Sequence, residues 1–255
     1  MHFNSKGFGL AAAITIAFTW LAAAQTAEKG PVRTVLALGR LSSIIDAPMS
    51  FKLSRVSIPA GEVAIYRGES SMIYVLSGTP AVTVVNDRRS LQQGEGIHLP
   101  PGINVSIQAE AGATAELVQY QLGRSPDLAK SVMSAPASVT DLHQMNIPAN
   151  ALKPGPYEFS MIRVTLPAGA SQPRPHTRSG AALYYVLAEG AITMWPSATV
   201  DALTGESRTE PRQVGAIQEE PYGFIHSWSP KADAPLILLQ ANISQEGVPE
   251  IIFVR

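Results

Sequence analysis

Apolar and polar side chains alternate through much of the chain. FKLSRVSI (residues 51–58) and MIRVTL (residues 161–166) have period two, as in strands that turn one face to a core. PAG, LSG, PPG and PYG interrupt such runs and read as turns. The pattern predicts short strands joined by tight turns, with no long amphipathic helix. One segment breaks it. FGLAAAITIAFTWLAAA (residues 8–24) is continuously apolar, follows Lys6 and ends in Ala22-Ala23-Ala24. A small-x-small site before Gln25 fits signal-peptidase cleavage. Residues 1–24 are therefore expected to be a cleaved signal peptide, leaving a periplasmic or secreted chain without a stable membrane anchor.

The alternating runs occur twice in the same order. RVSIPAGE (residues 55–62) matches RVTLPAGA (residues 163–170), and IYVLSG (residues 73–78) matches YYVLAEG (residues 184–190). GEGIHLPPGINV (residues 94–105) matches GAIQEEPYGFIH (residues 215–226), and AELVQYQL (residues 115–122) matches APLILLQANI (residues 234–243). A duplicated unit of about 100 residues explains this order economically. GRSPDLAKSVMSAPASV (residues 123–139) lies between the copies and reads as a linker, with one short helix around residues 127–133.

Composition narrows the classes of function. The 255 residues are 45% hydrophobic, enough for a sizeable core, and the 20 Gly and 20 Pro suit a turn-rich β-structure. Charged residues make up 15% and the net charge is −1, with no basic patch, so nucleic acid is not an expected partner. The absence of Cys rules out disulfides and a lipid-anchored lipoprotein. No Ser/His/Asp order, phosphate-cradling Gly loop or CxxC pattern is present.

The pattern PAG…YVLxG…G-x5-P-x-G resembles the cupin superfamily, and its two copies resemble a bicupin. The resemblance covers most of residues 50–122 and 160–245. Gly94-x5-Pro100-x-Gly102 and Gly215-x5-Pro221-x-Gly223 fit the family's second motif without adjustment. It implies an all-β chain of two tandem cupin barrels (double-stranded β-helices, or jelly rolls). The expected division is 1–24 signal peptide, 25–122 first barrel, 123–140 linker and 141–255 second barrel.

The resemblance also implies a metal held by three His and one Glu, and here the sequence departs from it. In the first copy the four ligand positions fall on Ile65, Arg67, Ser71 and Val105, so that barrel is expected to be metal-free. His98, between Ile97 and Leu99, is turned outward by the period of two. In the second copy the positions fall on His176, Arg178, Ala182 and His226. Two ligands survive beside a permanent positive charge.

The same alternation turns Tyr184, Gln218 and Glu220 inward. The expected ligand-binding set is thus His176, Arg178, Tyr184, Gln218, Glu220 and His226, with no residue singled out as catalytic. The first barrel offers mostly apolar residues at matching places, so only the second is expected to hold a ligand.

Several chemistries fit this set. Arg178 and the His pair suit a clamp for a carboxylate. His176, His226 and Glu220 suit a two-His-one-carboxylate site for one divalent transition metal, as in an isomerase, lyase or oxygenase. His176 or His226 with Tyr184 suits acid–base chemistry without a metal. Arg178 paired with Glu220 would instead make a self-satisfied network in a structural or interaction protein. The leading reading is an exported protein, monomer or homodimer, that binds a small polar or anionic molecule in the second barrel, or processes it without a cofactor. Outside this set, His143 reads as structural, Trp195 and Trp228 as packing, and the insertion at residues 196–213 as a lid or binding loop.

Overall fold

The computed structural model describes residues 30–42, 48–148, 152 and 154–255. The expected signal peptide lies outside the described residues. Among the described residues, strands β1 to β20, numbered in chain order, form four five-stranded antiparallel sheets, and there is one short helix.

The first barrel is a sandwich of two of these sheets. One has the order β11 (Ser138–Ile147), β2 (Met49–Ile58), β9 (Ala115–Arg124), β4 (Ser70–Ser77), β7 (Gly96–Leu99). The other has the order β10 (Val132–Met133), β3 (Val63–Arg67), β8 (Val105–Gln108), β5 (Ala81–Val84), β6 (Asp87–Ser90). Val56, Ile58, Ile73, Val75, Leu99 and Leu117 fill the space between them.

The second barrel repeats the plan. Its sheets run β1 (Val32–Leu41), β12 (Tyr157–Leu166), β19 (Leu236–Gln245), β14 (Ala181–Ala188), β17 (Ile217–Glu220), and β16 (Arg208–Arg212), β15 (Gly190–Met194), β18 (His226–Ser229), β13 (His176–Arg178), β20 (Ile251–Phe253). Ile162, Val164, Val186, Ile192, Leu236 and Leu238 belong to its core.

The G-x5-P-x-G motif has a backbone cause. Gly94 and Gly215 sit at φ 87° and 85°, and Gly102 and Gly223 at 77° and 84°. Side chains with a Cβ rarely adopt this left-handed region, so the glycines fix the turns on either side of β7 and β17.

Strand pairing does not follow the division expected at residues 122 and 141. β1, from the stretch assigned to the first barrel, pairs with β12 of the second, from Val32↔Thr165 to Leu41↔Tyr157. β11 crosses the other way and pairs with β2, from Ser138↔Ser57 to Ile147↔Met49. Each barrel thus covers an exposed sheet edge with a strand donated by the other half. The expected linker is also structured. It holds helix α1 (Ser125–Leu128), a single turn, and then β10, which pairs with β3.

A third core lies between the barrels. Phe51, Leu53, Tyr120 and Leu122 of the first barrel pack with Phe159, Met161, Leu239 and Ile243 of the second. The Phe51 and Phe159 rings are 6.0 Å apart, and the Tyr120 hydroxyl donates to the Leu239 carbonyl at 3.1 Å. His98 and His143 serve this junction. His98 faces out of its barrel, 2.9 Å from Ser70 Oγ and against Gly39 of β1. His143, on the edge strand β11, lies 2.6 Å from Glu219 Oε1 on β17.

Candidate functional site

Period two on β13, β14, β17 and β18 brings most of the expected residues into the second barrel. Arg178 and Glu220 have 1% and 0% of their surface exposed, and Tyr184, His176 and His226 are also buried. Arg178 Nε donates to Glu220 Oε2 at 2.9 Å, and its Nη2 donates to the Tyr184 hydroxyl. That hydroxyl donates to Gln240 Oε1 at 3.0 Å, which also accepts from Arg33 Nη1 at 3.3 Å. Arg33 is in turn paired with Glu250 at 2.6 Å. On the other side, Trp228 Nε1 donates to Glu220 Oε1 at 2.8 Å. A continuous polar chain therefore runs through the barrel from Trp228 to Arg33.

The two histidines lie at one end, with ring centroids 4.5 Å apart. His176 Nδ1 lies 2.9 Å from the Arg174 carbonyl. A carbonyl only accepts, so Nδ1 carries the proton and the neutral ring keeps its Nε2 lone pair. Burial, and then the neighbouring His226 and Arg178, push His176 down to about 3. Burial alone would raise Glu220; His226 and Arg178 outweigh it and hold the carboxyl at about 2. Burial also lowers Arg178, opposed by Glu220. His226 Nε2 approaches Glu220 Oε1 to 2.7 Å, an ion-pair separation, yet makes no aligned hydrogen bond there.

A cavity of about 160 Å³ opens beside this chain. Its walls are mainly apolar, among them Val164, Leu166, Leu238, Trp228 and Phe253, and Arg33, His176 and Arg178 are its charged or basic members. Arg178 Nη1 is buried and has no partner among the described residues.

Gln218 does not join the expected set. It accepts from Arg212 Nη2 at 2.8 Å and donates to the Glu219 carbonyl, because it sits toward β16 at the barrel's flank. The insertion at residues 196–213 contributes nothing to the cavity wall. Its second half forms β16, paired along β15 from Gly190↔Arg212 to Met194↔Arg208. Trp228 is more than packing, since it both lines the cavity and binds Glu220.

Sequence reading missed Gln240, Asn242 and Ser244, which are buried at alternate positions of β19. The signal was present in LLQANIS as a period of two in polar residues. It was hidden because Leu239, Ala241 and Ile243, facing the other barrel, are the apolar set. Arg33 was out of reach because its strand is donated from the other half.

The first barrel also departs from expectation. Counting back from Ser71 predicts Ile65 and Arg67 at the places of His176 and Arg178. The register instead sets Tyr66 opposite Val105, as His176 is opposite His226. The stretch from His176 to Ala182 is one residue longer than that from Tyr66 to Ser71, so the count slips by one. Arg67 is exposed and is no counterpart of buried Arg178.

No family model and no curated protein matches the chain by sequence. Solved structures do match by shape. The oxalate decarboxylase of Bacillus subtilis, in a study of its Mn(II) centres, has a TM-score of 0.57 at 14% identity, with 84% of this chain and 79% of that chain covered. The formate complex of Lactobacillus farciminis oxalate decarboxylase has a TM-score of 0.54 at 15% identity, covering 84% and 88%. Vicilin from hazelnut (Corylus avellana) has a TM-score of 0.54 at 12% identity, covering 77% and 76%. The chain shares the two-barrel fold of these proteins, the fold that its cupin-like motifs imply.

The residues of the second barrel do not fit the metal such a fold implies. Among the described residues no group of three His, Asp or Glu side chains is arranged to hold one. The metal set His176, His226 and Glu220 fails on its carboxylate. Both Glu220 oxygens are engaged, by Arg178, Trp228 and His226, and a guanidinium 2.9 Å away occupies the place of a cation.

Proposed function

We propose that the protein is an exported, metal-independent binding protein whose second barrel takes a small carboxylic acid with an apolar body. The observation that carries this reading is the cavity beside Arg178. Its apolar wall favours an aliphatic or aromatic group, while Arg33 and Arg178 favour a carboxylate. The unpartnered Nη1 of Arg178 supplies a donor, and His176 supplies a neutral acceptor for a ligand hydroxyl. The oxalate and formate of the decarboxylase neighbours are carboxylates without such a body, and this cavity favours a bulkier one. The apolar segment at residues 8–24 supports export.

The test is a thermal-shift panel of aliphatic and aromatic monocarboxylates against wild type and Val164→Phe. Val164 lines the cavity, so the larger ring should fill it. Stabilisation by one class of acid in the wild type and its loss in the variant are expected. Equal shifts in both proteins would sink the reading.

A further inference from the structure

We propose that the first barrel holds a second binding site, for an uncharged polyhydroxyl compound such as a hexose or hexitol. The place is a cavity of about 320 Å³ lined by Lys52, Tyr66, Gln119, Gln121, Met133 and Asp141, among others. It lies against strands that match those around the cavity in the second barrel, displaced along them toward Gln119 and Gln121. β10 takes the part of β20, and β11, the strand donated from the other half, takes the part of β1. The lining is of different chemistry.

Gln119, Gln121 and Tyr66 are buried, with 2%, 4% and 1% of their surface exposed. Their hydrogen bonds fix how they face the cavity. Gln119 Nε2 donates to Ser71 Oγ at 2.9 Å, and Gln121 Nε2 donates to the Tyr66 hydroxyl at 3.2 Å. The Tyr66 hydroxyl donates in turn to the Glu69 carbonyl at 2.6 Å, and Ser71 Oγ to the Tyr120 carbonyl at 3.0 Å. The tyrosine and serine donors of the cavity floor are committed, and each Gln has spent one amide hydrogen, so what remains is the amide oxygen and one N–H of Gln119 and of Gln121.

Two fixed, uncharged amides, each with an acceptor and one donor left, match hydroxyl groups, which both donate and accept. At the rim, Lys52 Nζ and Asp141 Oδ1 pair at 3.0 Å and cancel each other's charge. That leaves no net field to select an anion or a cation, while each group keeps capacity for one more hydroxyl. The volume suits a six-carbon ligand. The site is independent of the acid-binding reading, because it shares no residue with the other cavity.

The experiment is calorimetric titration of the full chain with D-glucose, D-galactose and D-mannitol, with sodium acetate and putrescine as charged controls. Saturable binding of at least one polyol, at one site per chain, is expected. Gln119→Leu should weaken it about tenfold or more. Ser71 keeps its bond to the Tyr120 carbonyl in that variant. Should Gln119→Leu fail to fold, Met133→Trp closes the mouth without touching the polar floor and should likewise abolish binding. Val164→Phe, which fills the other cavity, should leave polyol binding unchanged, so failure of one site is told apart from failure of the other. Absence of saturable binding by all three polyols overturns the proposal. So does polyol binding that survives both first-barrel variants, or binding of a charged control that those variants abolish.

Discussion

Glu220 and Arg178 are an ion pair sealed from solvent, and its worth depends on keeping both partners. Removing one member of such a pair leaves an uncompensated buried charge, at about 3–5 kcal/mol. Arg178→Met should therefore lower unfolding stability by about that amount in urea. Adding Glu220→Met should restore a large part, because two apolar groups of similar volume need no partner. Additive losses in the double variant would show that the pair is not coupled. The same cluster sets a pH dependence. His176 is held at about 3 against an ordinary 6.5, so between these values the unfolded chain binds a proton that the folded chain refuses. Stability falls as pH drops through that window. Glu220 has a folded value of about 2 against an ordinary 4.5, so its contribution is present above 4.5 and is lost toward 2. Both groups act in the same direction. Urea midpoints should decline from pH 6.5 downward, and His176→Asn should flatten the decline between 6.5 and 4.5. An unchanged slope in that variant would assign the effect elsewhere.

The donated strands organise the molecule at the next scale. β1 runs along β12 and also leans on β7, where a Cβ added at Gly39 would lie 2.5 Å from His98 Nε2. His98 is held by Ser70 Oγ, so it is not free to yield. Gly39→Val should push β1 away and destabilise the fold by about 1–3 kcal/mol. Amide exchange should show β1 losing protection by local opening before β12, β2 and β9. Uniform loss, or no loss, would count against the strap role of β1. This exchange also marks the limit of what the sequence discloses. The duplicated turns and strands were legible because glycines at positive φ and period-two alternation are local properties. So was most of the inward set, since the motif resemblance implied His176, Arg178 and His226 and alternation added Tyr184 and Glu220. Which half a strand joins is decided by sheet edges brought together only in three dimensions. The polarity of β9 and β19 was illegible for a related reason. Both faces of these strands are buried, so Val118 and Tyr120 are apolar toward the neighbouring barrel while Gln119 and Gln121 point inward.

At the scale of the whole molecule, two barrels share one stabilising layer and exchange one strand each. Phe51, Leu53, Tyr120 and Leu122 would face water if the second barrel were absent, as would Phe159, Met161, Leu239 and Ile243 in the reverse case. Exposed apolar patches of that kind do not suit an independent domain. Neither barrel would keep its fifth edge strand, because β1 and β11 arrive from the opposite half. The two halves should therefore unfold together, in one cooperative transition. Phe159→Ala makes the case testable, since Phe159 is fully buried in the shared layer and 6.0 Å from Phe51. Truncating a buried Phe costs about 3–5 kcal/mol. If the layer couples the barrels, the loss should appear equally in the global exchange of β9 amides in the first barrel and β19 amides in the second. Protection that collapses in β19 and persists in β9 would mean that the barrels are separate folding units that merely touch.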